Sequence, residues 1–265
     1  MERTYRTIRV ASEGGTACVT LARPSARNAF DAEMISELDA ALDRLAEDGA
    51  LRALVLTGEG SVFSAGADAS WMRAAGAMSE ADGRIDATKL ATLFRKLDEF
   101  PCPTIAAVQG AALGGGAGLV AAADIAIAEE GAKFGFTEVR LGIVPAVISS
   151  FVVRAIGPRH ARRYFTTGEI FDAGRAAAIG LVSEVVPSGK AAERAAEIVA
   201  ALLQVGPAAT RVAKSLVAAV AGSPLNVALP QCAALIAAIR RTPEAQEGLA
   251  AFLEKRPPAW NRKDV

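Results

Sequence analysis

Apolar positions along the chain recur at two spacings that take turns. Residues 7–10 and 17–21 are short β-type runs with Gly14-Gly15 between them, which predicts a hairpin. Asp31 then precedes AEMISELDAALDRLAED, where Met34, Leu38, Leu42 and Leu45 return at helical spacing, and ALVLTG follows as a buried strand ended by glycine. Residues 58–83 are rich in Gly, Ser and Ala and predict an irregular functional loop. The order then repeats. KLATLFRKLDEF reads as a helix stopped by Pro101 and Pro103, TIAAVQ as a buried strand, GAALGGGAG as a turn into a small-residue helix, and DIAIAEE as another strand. Strands alternating with helices predict an α/β architecture with a largely parallel sheet. Beyond about residue 158 only LVSEVV reads as a strand, and the helical stretches are PRHARRYF, DAGRAAAI, AAERAAEIVAALL, PAATRVAKSLVAAV, PLNVALPQCAALIAAI and PEAQEGLAAFLEK. The parse that follows is an α/β core over residues 1–200 and a helical C-terminal region over residues 201–265.

Composition narrows the function classes. With 265 residues, 52% hydrophobic and 22% charged, the chain can bury a full core, which excludes disorder as its dominant state. Lys plus Arg and Asp plus Glu both number 29, and a net charge of zero argues against nucleic acid as a partner. Cys18, Cys102 and Cys232 are scattered, so they make neither a disulfide framework nor a paired metal site. A single histidine, His160, leaves little for a zinc cluster or a Ser-His-Asp triad, and no metal is expected. MERTYRTIRV lacks an apolar signal core, and AGLVAAADIAIA and IVPAVISSFVV are too short to span a membrane. A reducing cytoplasm, with no membrane partner, fits this composition.

Three segments carry candidate chemistry. SVFSAGAD (61–68) and GAALGGGAG (110–118) are Gly/Ala-rich turns, each directly after an expected strand. Glycine lets a backbone turn its N–H groups toward a ligand, and a following helix adds orphan N–H groups and the positive end of its dipole. Two such N–H groups from different loops, converging on one oxygen, make an oxyanion hole. Tight turns and close helix–sheet packing would call for the same glycines. No Lys-Ser or Lys-Thr follows GGGAG, so it is not a P-loop, and the loose dinucleotide fingerprint at 116–121 lies mid-chain without its usual context. The third segment, KFGFTEVRLGIVPAVIS (133–149), holds Glu138 among Phe134, Phe136, Val139, Leu141 and Ile143. An apolar setting raises a carboxylic acid's pKa and suits it to proton transfer near neutrality. Capping a short helix or pairing with Arg140 is the other reading of Glu138.

Together RPSARNAF, FSAGAD, AAVQGAALGGG, DIAIA, FGFTEVRLGIVP and the terminal EGLAAFLEKR resemble the crotonase family of enoyl-CoA hydratases and isomerases over essentially the whole chain. The resemblance implies stacked ββα repeats followed by a helical trimerisation region, in a homotrimer or a hexamer made of two trimers. It implies an acyl-CoA substrate, with coenzyme A part of that substrate and no separate cofactor. By position, the backbone N–H groups of Ala67 and Gly115 form the oxyanion hole and Glu138 is the acid/base. Ser64 and Ala65 line the CoA side. Arg23 and Arg27 match CoA-phosphate positions, although each also reads as a solvated surface charge. Phe252 and Lys255 match terminal positions that complete the CoA site, in some members from a neighbouring subunit. Trp71 and Met72 line the acyl pocket or belong to the core.

One position departs from the standard hydratase pattern, which has two glutamates. Glu138 matches the second; the first falls at Gly118, which has no side chain. Two carboxylates suit hydration and one suits moving a proton between the α- and γ-carbons. Yet TEVRLGIVPAVIS with GGGAGL before it is similar to bacterial methylglutaconyl-CoA hydratases of leucine and isoprenoid breakdown. The leading expectation is therefore hydration of a branched enoyl-CoA, with Arg140 meeting a second substrate carboxylate. An enoyl-CoA isomerase on the same three residues and a non-catalytic CoA-ester binder are the alternatives. His160 is expected at a helix start, Arg159, Arg162 and Arg163 on a solvated face, Asp68 and Asp124 in loop or strand-end structure, and Leu141, Val144 and Val147 in packing.

Overall fold

The structure, a computed structural model, describes residues 5–261; the first and last four residues, including the charged MERT, lie outside the described ones. β1 (Ile8–Glu13) and β2 (Thr16–Leu21) form the expected hairpin, with Ile8 opposite Leu21 and positive φ at both Gly14 and Gly15. Ala17, Val19 and Leu21 of β2 are buried in alternation, as a half-covered strand requires. α1 (Ala32–Ala46) starts at Asp31, whose carboxylate accepts the Met34 N–H, and buries the stripe Met34, Ile35, Leu38, Leu42 and Leu45. β3 (Ala53–Gly58) follows.

Residues 58–83 are not the irregular loop their composition implies. They contain α2 (Ala69–Gly76) and the start of α3 (Glu80–Asp98). Asp68 caps α2 by accepting the Ser70 and Trp71 N–H groups, and Ser79 caps α3 by accepting that of Asp82. Hydrophobic spacing hides these helices because α2 buries no residue and α3 buries only Leu93, Phe94 and Leu97 near its end.

From there strands fall in pairs. β4 (Thr104–Val108) and β5 (Ala111–Leu113) precede α4 (Gly115–Ala122); β6 (Ile125–Glu129) and β7 (Lys133–Gly135) precede α5 (Ser149–Thr167). β8 (Ile170–Asp172), α6 (Ala173–Ala178) and β9 (Glu184–Val186) complete the series. One sheet runs β1-β2-β3-β4-β6-β9, parallel except for the hairpin; a second runs β5-β7-β8. The second member of each pair thus crosses to the smaller sheet. Gly110 makes the first crossing at φ +62°, where a Cβ would lie 1.8 Å from the Ser61 carbonyl oxygen, so only glycine fits. β8 corrects the expectation that LVSEVV is the only strand after residue 158. At three residues, β5, β7 and β8 are too short to display an alternation.

α5 is two helices merged across Gly157-Pro158, and His160 lies in the first turn after that kink, as expected. α7 (Ala191–Leu203) covers the large sheet's second face, with Ala191 and Ala195 packed on Ile105, Ala107 and Ile127. The division expected at 200/201 falls inside this helix. α8 (Pro207–Val220), α9 (Leu225–Ile239) and α10 (Pro243–Leu253) follow. Polar contacts anchor α8 to the core: Lys214 pairs with Asp124 at 2.7 Å, and Arg211 donates to the Gly49 and Leu51 carbonyls. The arginine Arg52 also binds the Leu202 and Val205 carbonyls. Large apolar side chains along α8 to α10 stay exposed, among them Val217, Leu225, Leu229 and Leu253.

Leu141 and Val144 are not packing residues within the chain: they are 65% and 68% exposed, because the short turn carrying them runs over the surface. Val147 is half-buried against the core. No described helix is long and apolar enough to cross a membrane.

Candidate active site

Segment 61–68 leaves β3 and lies between two backbones. Ser64 bridges Ala112 in parallel, its N–H donating to the Ala111 carbonyl and its own carbonyl accepting from Leu113. Ala67 bridges Phe30, with the Phe30 N–H donating to the Gly66 carbonyl and the Asp68 N–H to the Phe30 carbonyl. In a parallel bridge only one of the two residues uses its own N–H and carbonyl; here that residue is Phe30, so the Ala67 N–H points to the opposite edge. Among the described residues the Ala67 N–H accordingly donates to no protein acceptor.

Asn28 fixes this loop, and the sequence reading missed it. Fully buried and at φ 54°, it donates from Nδ2 to the Glu59 and Val62 carbonyls, and its Oδ1 accepts the Arg23 N–H. Its own carbonyl accepts the Ser64 hydroxyl, which in turn accepts the Gly66 N–H. The one signal in the sequence is that asparagine tolerates the left-handed region. Asn28→Ala is expected to destabilise the protein by about 3 kcal/mol, since two partly buried carbonyls lose their donor. Denaturant unfolding checks this, and a loss below about 1 kcal/mol contradicts the role given to the amide.

The second loop meets the first at α4. Gly114 precedes that helix at φ 49° and ψ −120°, its N–H donating to the Gly135 carbonyl. Gly115 is the first helical residue, where an N–H has no partner inside the helix. Glycines on both loops allow the close approach. A Cβ on Gly66 would lie 2.8 Å from the Leu113 carbonyl oxygen and 3.4 Å from the Gly115 nitrogen. One on Gly116 would lie 2.6 Å from the Ser64 carbonyl oxygen. Close packing of the two loops thus places Gly66, the neighbour of Ala67, against the Gly115 nitrogen.

Glu138 opens a 3-10 helix (Glu138–Leu141) directly after β7 and Phe136. Its Oε1 lies 3.2 Å from the position of a Cβ on Gly114, so the carboxyl group rests at the α4 entrance. Oε2 is buried with no hydrogen-bond partner among the described residues. Burial pushes the Glu138 carboxyl above the usual carboxylate range, and its own backbone amide only partly offsets this. No ion pair joins it to Arg140, whose exposed side chain lies against Gly168. A carboxyl group held at a helix entrance can move a proton at a carbon whose negative charge nearby amides stabilise.

The remaining expected residues divide. Gly118 lies one turn along α4, its N–H donating to the Gly114 carbonyl. Trp71 packs against the core from the first turn of α2, its Nε1 buried and unpartnered, and Met72 beside it is half-buried. Ser64 is fully buried with its hydroxyl engaged inside the loop, and Ala65 donates its N–H to the Arg27 carbonyl. Arg23 binds Asp31 at 2.9 Å and Asp68 at 3.3 Å, tying the caps of α1 and α2 together. Burial raises the Asp68 pKa, but the Ser70 and Trp71 amides and Arg23 outweigh it and hold the carboxyl below its usual range. Arg27 is exposed at φ 53°. Phe252, 81% exposed on α10, and exposed Lys255 are not packed into these loops. Among the described residues no group of three His, Cys, Asp or Glu side chains is placed to hold a metal.

The enoyl-CoA hydratase/isomerase family model matches residues 11–263. The chain belongs to that family. It is therefore an enzyme of the enoyl-CoA hydratase/isomerase class, and its fold is the crotonase fold. The enoyl-CoA hydratase of Shewanella pealeana superposes with a TM-score of 0.93 at 41% identity, covering 96% of each chain. The 2,3-dehydroadipyl-CoA hydratase of Escherichia coli is 34% identical over 241 residues, 91% of this chain and 92% of its own. The short-chain-enoyl-CoA hydratase of Clostridium acetobutylicum is 33% identical over 246 residues, 92% and 93% of the two chains.

Proposed function

We propose that the protein hydrates a 2-enoyl-CoA thioester, with Glu138 as its only carboxyl acid/base. The observation that carries this reading is the Glu138 carboxyl at the entrance of α4, its Oε2 buried without a partner among the described residues, next to the loops that carry Ala67 and Gly115. The Ala67 and Gly115 N–H groups hold the thioester carbonyl. The Glu138 carboxylate takes a proton from water as its oxygen bonds to the β-carbon, and the π electrons move to the thioester oxygen as an enolate. The carboxyl group then returns the proton to the α-carbon. A carboxyl whose pKa lies above the usual range serves both half-steps near neutrality better than an ordinary one. Ala65, exposed Arg27 and Lys255 with Phe252 are assigned to the CoA side, Arg23 and Ser64 acting there through the loops they hold.

For the acyl group we propose a branched, dicarboxylic enoyl-CoA of the methylglutaconyl-CoA type. The motif TEVRLGIVPAVIS and the exposed Arg140, with no ion-pair partner among the described residues, support this choice. Loss of absorbance of the conjugated thioester, followed with methylglutaconyl-CoA and crotonyl-CoA, tests it. Arg140→Ala is expected to lower kcat/KM about tenfold for the dicarboxylic ester and little for crotonyl-CoA, as loss of one charged contact requires. An equal fall for both esters removes Arg140 from substrate recognition.

The exposed apolar side chains of α8 to α10 support assembly as a homotrimer or a pair of trimers. Light scattering is expected to give three or six chains; a single chain in solution rejects assembly.

A further inference from the structure

Position 118 is occupied although it carries no side chain. A Cβ built on Gly118 would lie 2.3 Å from Ile148 Cγ2, 3.0 Å from Ile148 Cβ and 3.0 Å from Phe94 Cε1. Ile148 is buried and Phe94 fully so; both are stiff, the first through β-branching and the second through its contact with the Phe151 ring. The Glu138 carboxyl rests against Gly114, and the Gly118 N–H donates to the Gly114 carbonyl, so the two contacts are one helical turn apart along α4. The segment from Glu138 to Ile148 therefore straddles the start of this helix, with its acid over the first turn and its isoleucine over the second.

We infer that Ile148 is a positioning residue for Glu138: with Phe94 it fills the α4 surface one turn from the carboxyl group, excluding bulk solvent and any second acid there and leaving Glu138 to act alone on the reacting water. The inference deepens the proposed function and rests on Glu138 carrying the proton. Among the described residues no charged group is paired with Glu138. α4 has no ionisable side chain, Lys133 of β7 is exposed, and Arg140 lies against Gly168. On α5, Arg154 binds Asp98 of α3; elsewhere on α3, Lys96 binds Asp39 and Asp43, and Arg95 binds Glu99. Burial, rather than any of these charges, holds the Glu138 carboxyl up.

Two measurements on the full chain separate the packing from the reaction. Alanine is normally favoured over glycine inside a helix. Gly118→Ala is expected to lower the melting temperature by about 5 °C in the parent, where the new methyl meets Ile148. The same change is expected to cost clearly less in an Ile148→Ala background, where the 2.3 Å contact with Cγ2 is gone and only the 3.0 Å contacts with Cβ and Phe94 Cε1 remain. An equal cost in both backgrounds overturns the occupancy of position 118 by Ile148, whatever the enzyme catalyses. The pH profile of kcat/KM then reads the link to Glu138. Ile148→Ala is expected to move the acidic limb to lower pH and cut kcat about tenfold with KM within about twofold, while Ile148→Val keeps the parent limb. An unmoved limb in Ile148→Ala reduces Ile148 to packing alone. Absence of turnover in the parent would overturn the reaction on which the inference rests, and with it the positioning role, but not the packing result.

Discussion

Glu138→Gln is expected to lower turnover about 10²- to 10⁴-fold while changing affinity for an unreactive CoA thioester by no more than a few-fold. The amide keeps the shape of the side chain but neither takes nor returns a proton, so catalysis falls and the loops that hold the thioester stay. The same change is expected to stabilise the protein at high pH. Burial raises the Glu138 pKa in the folded state, so over the interval from the ordinary carboxylate range up to that raised value the folded chain binds more protons than the unfolded chain. Stability is then lost as pH rises through this interval, because a carboxylate whose burial its own backbone amide only partly offsets is being ionised inside the protein. Below the ordinary range the group is neutral in both states and costs nothing by ionisation. Glu138→Gln should therefore melt above the parent at pH 8, with the gap narrowing toward pH 4. A gap that is constant across this range shows that ionisation of Glu138 has no part in it, and unchanged turnover removes the residue from the chemistry.

Gly66→Ala is expected to cost about 10²- to 10³-fold in kcat, the loss associated with one displaced oxyanion donor. Gly66 holds φ +93°, and a methyl there would lie 2.8 Å from the Leu113 carbonyl oxygen. Relief of that clash has to push the first loop off the second, and the next residue, Ala67, carries one of the two amides. Strain at positive φ adds a stability cost of about 1–3 kcal/mol. Gly14→Ala separates the two effects. Gly14 also has positive φ, at +56°, but a Cβ there meets nothing within 4 Å and the hairpin turn is not part of the site. That variant is expected to lose stability and keep kcat; equal kcat losses in both variants would mean that global strain, rather than amide placement, governs turnover.

What the sequence disclosed followed the size and burial of each element. α1 shows itself through six buried residues at helical spacing, and β4 and β6 through uninterrupted apolar runs covered on both faces. β5, β7 and β8 have three residues each, and α2 has no buried residue at all, so neither spacing can register. Apolar character misled at Leu141 and Val144, which lie on a surface turn. In the site, the apolar flanks of Glu138 were legible, and its pairing with Arg140 was an open alternative that the fold removes. Asn28 and Ile148 were not legible as site residues, and Gly66 was legible only as a glycine of its loop, without the backbone it meets. Their parts depend on approaches between backbones far apart in the chain, such as Gly66 against Leu113 and Gly118 against Ile148. Arg23 carries the same lesson: its cation reads as a phosphate contact or a surface charge, and the fold commits it to Asp31 and Asp68.

The most direct test of hydration by a single carboxyl group is the mass of the product formed from a 2-enoyl-CoA in oxygen-labelled water. The expected result is a 3-hydroxyacyl-CoA that carries the labelled oxygen, with incorporation lost in Glu138→Gln. Conversion of a 3-enoyl-CoA to the 2-enoyl ester, with no labelled oxygen entering either ester, would contradict hydration and make the protein a double-bond isomerase built on the same three residues.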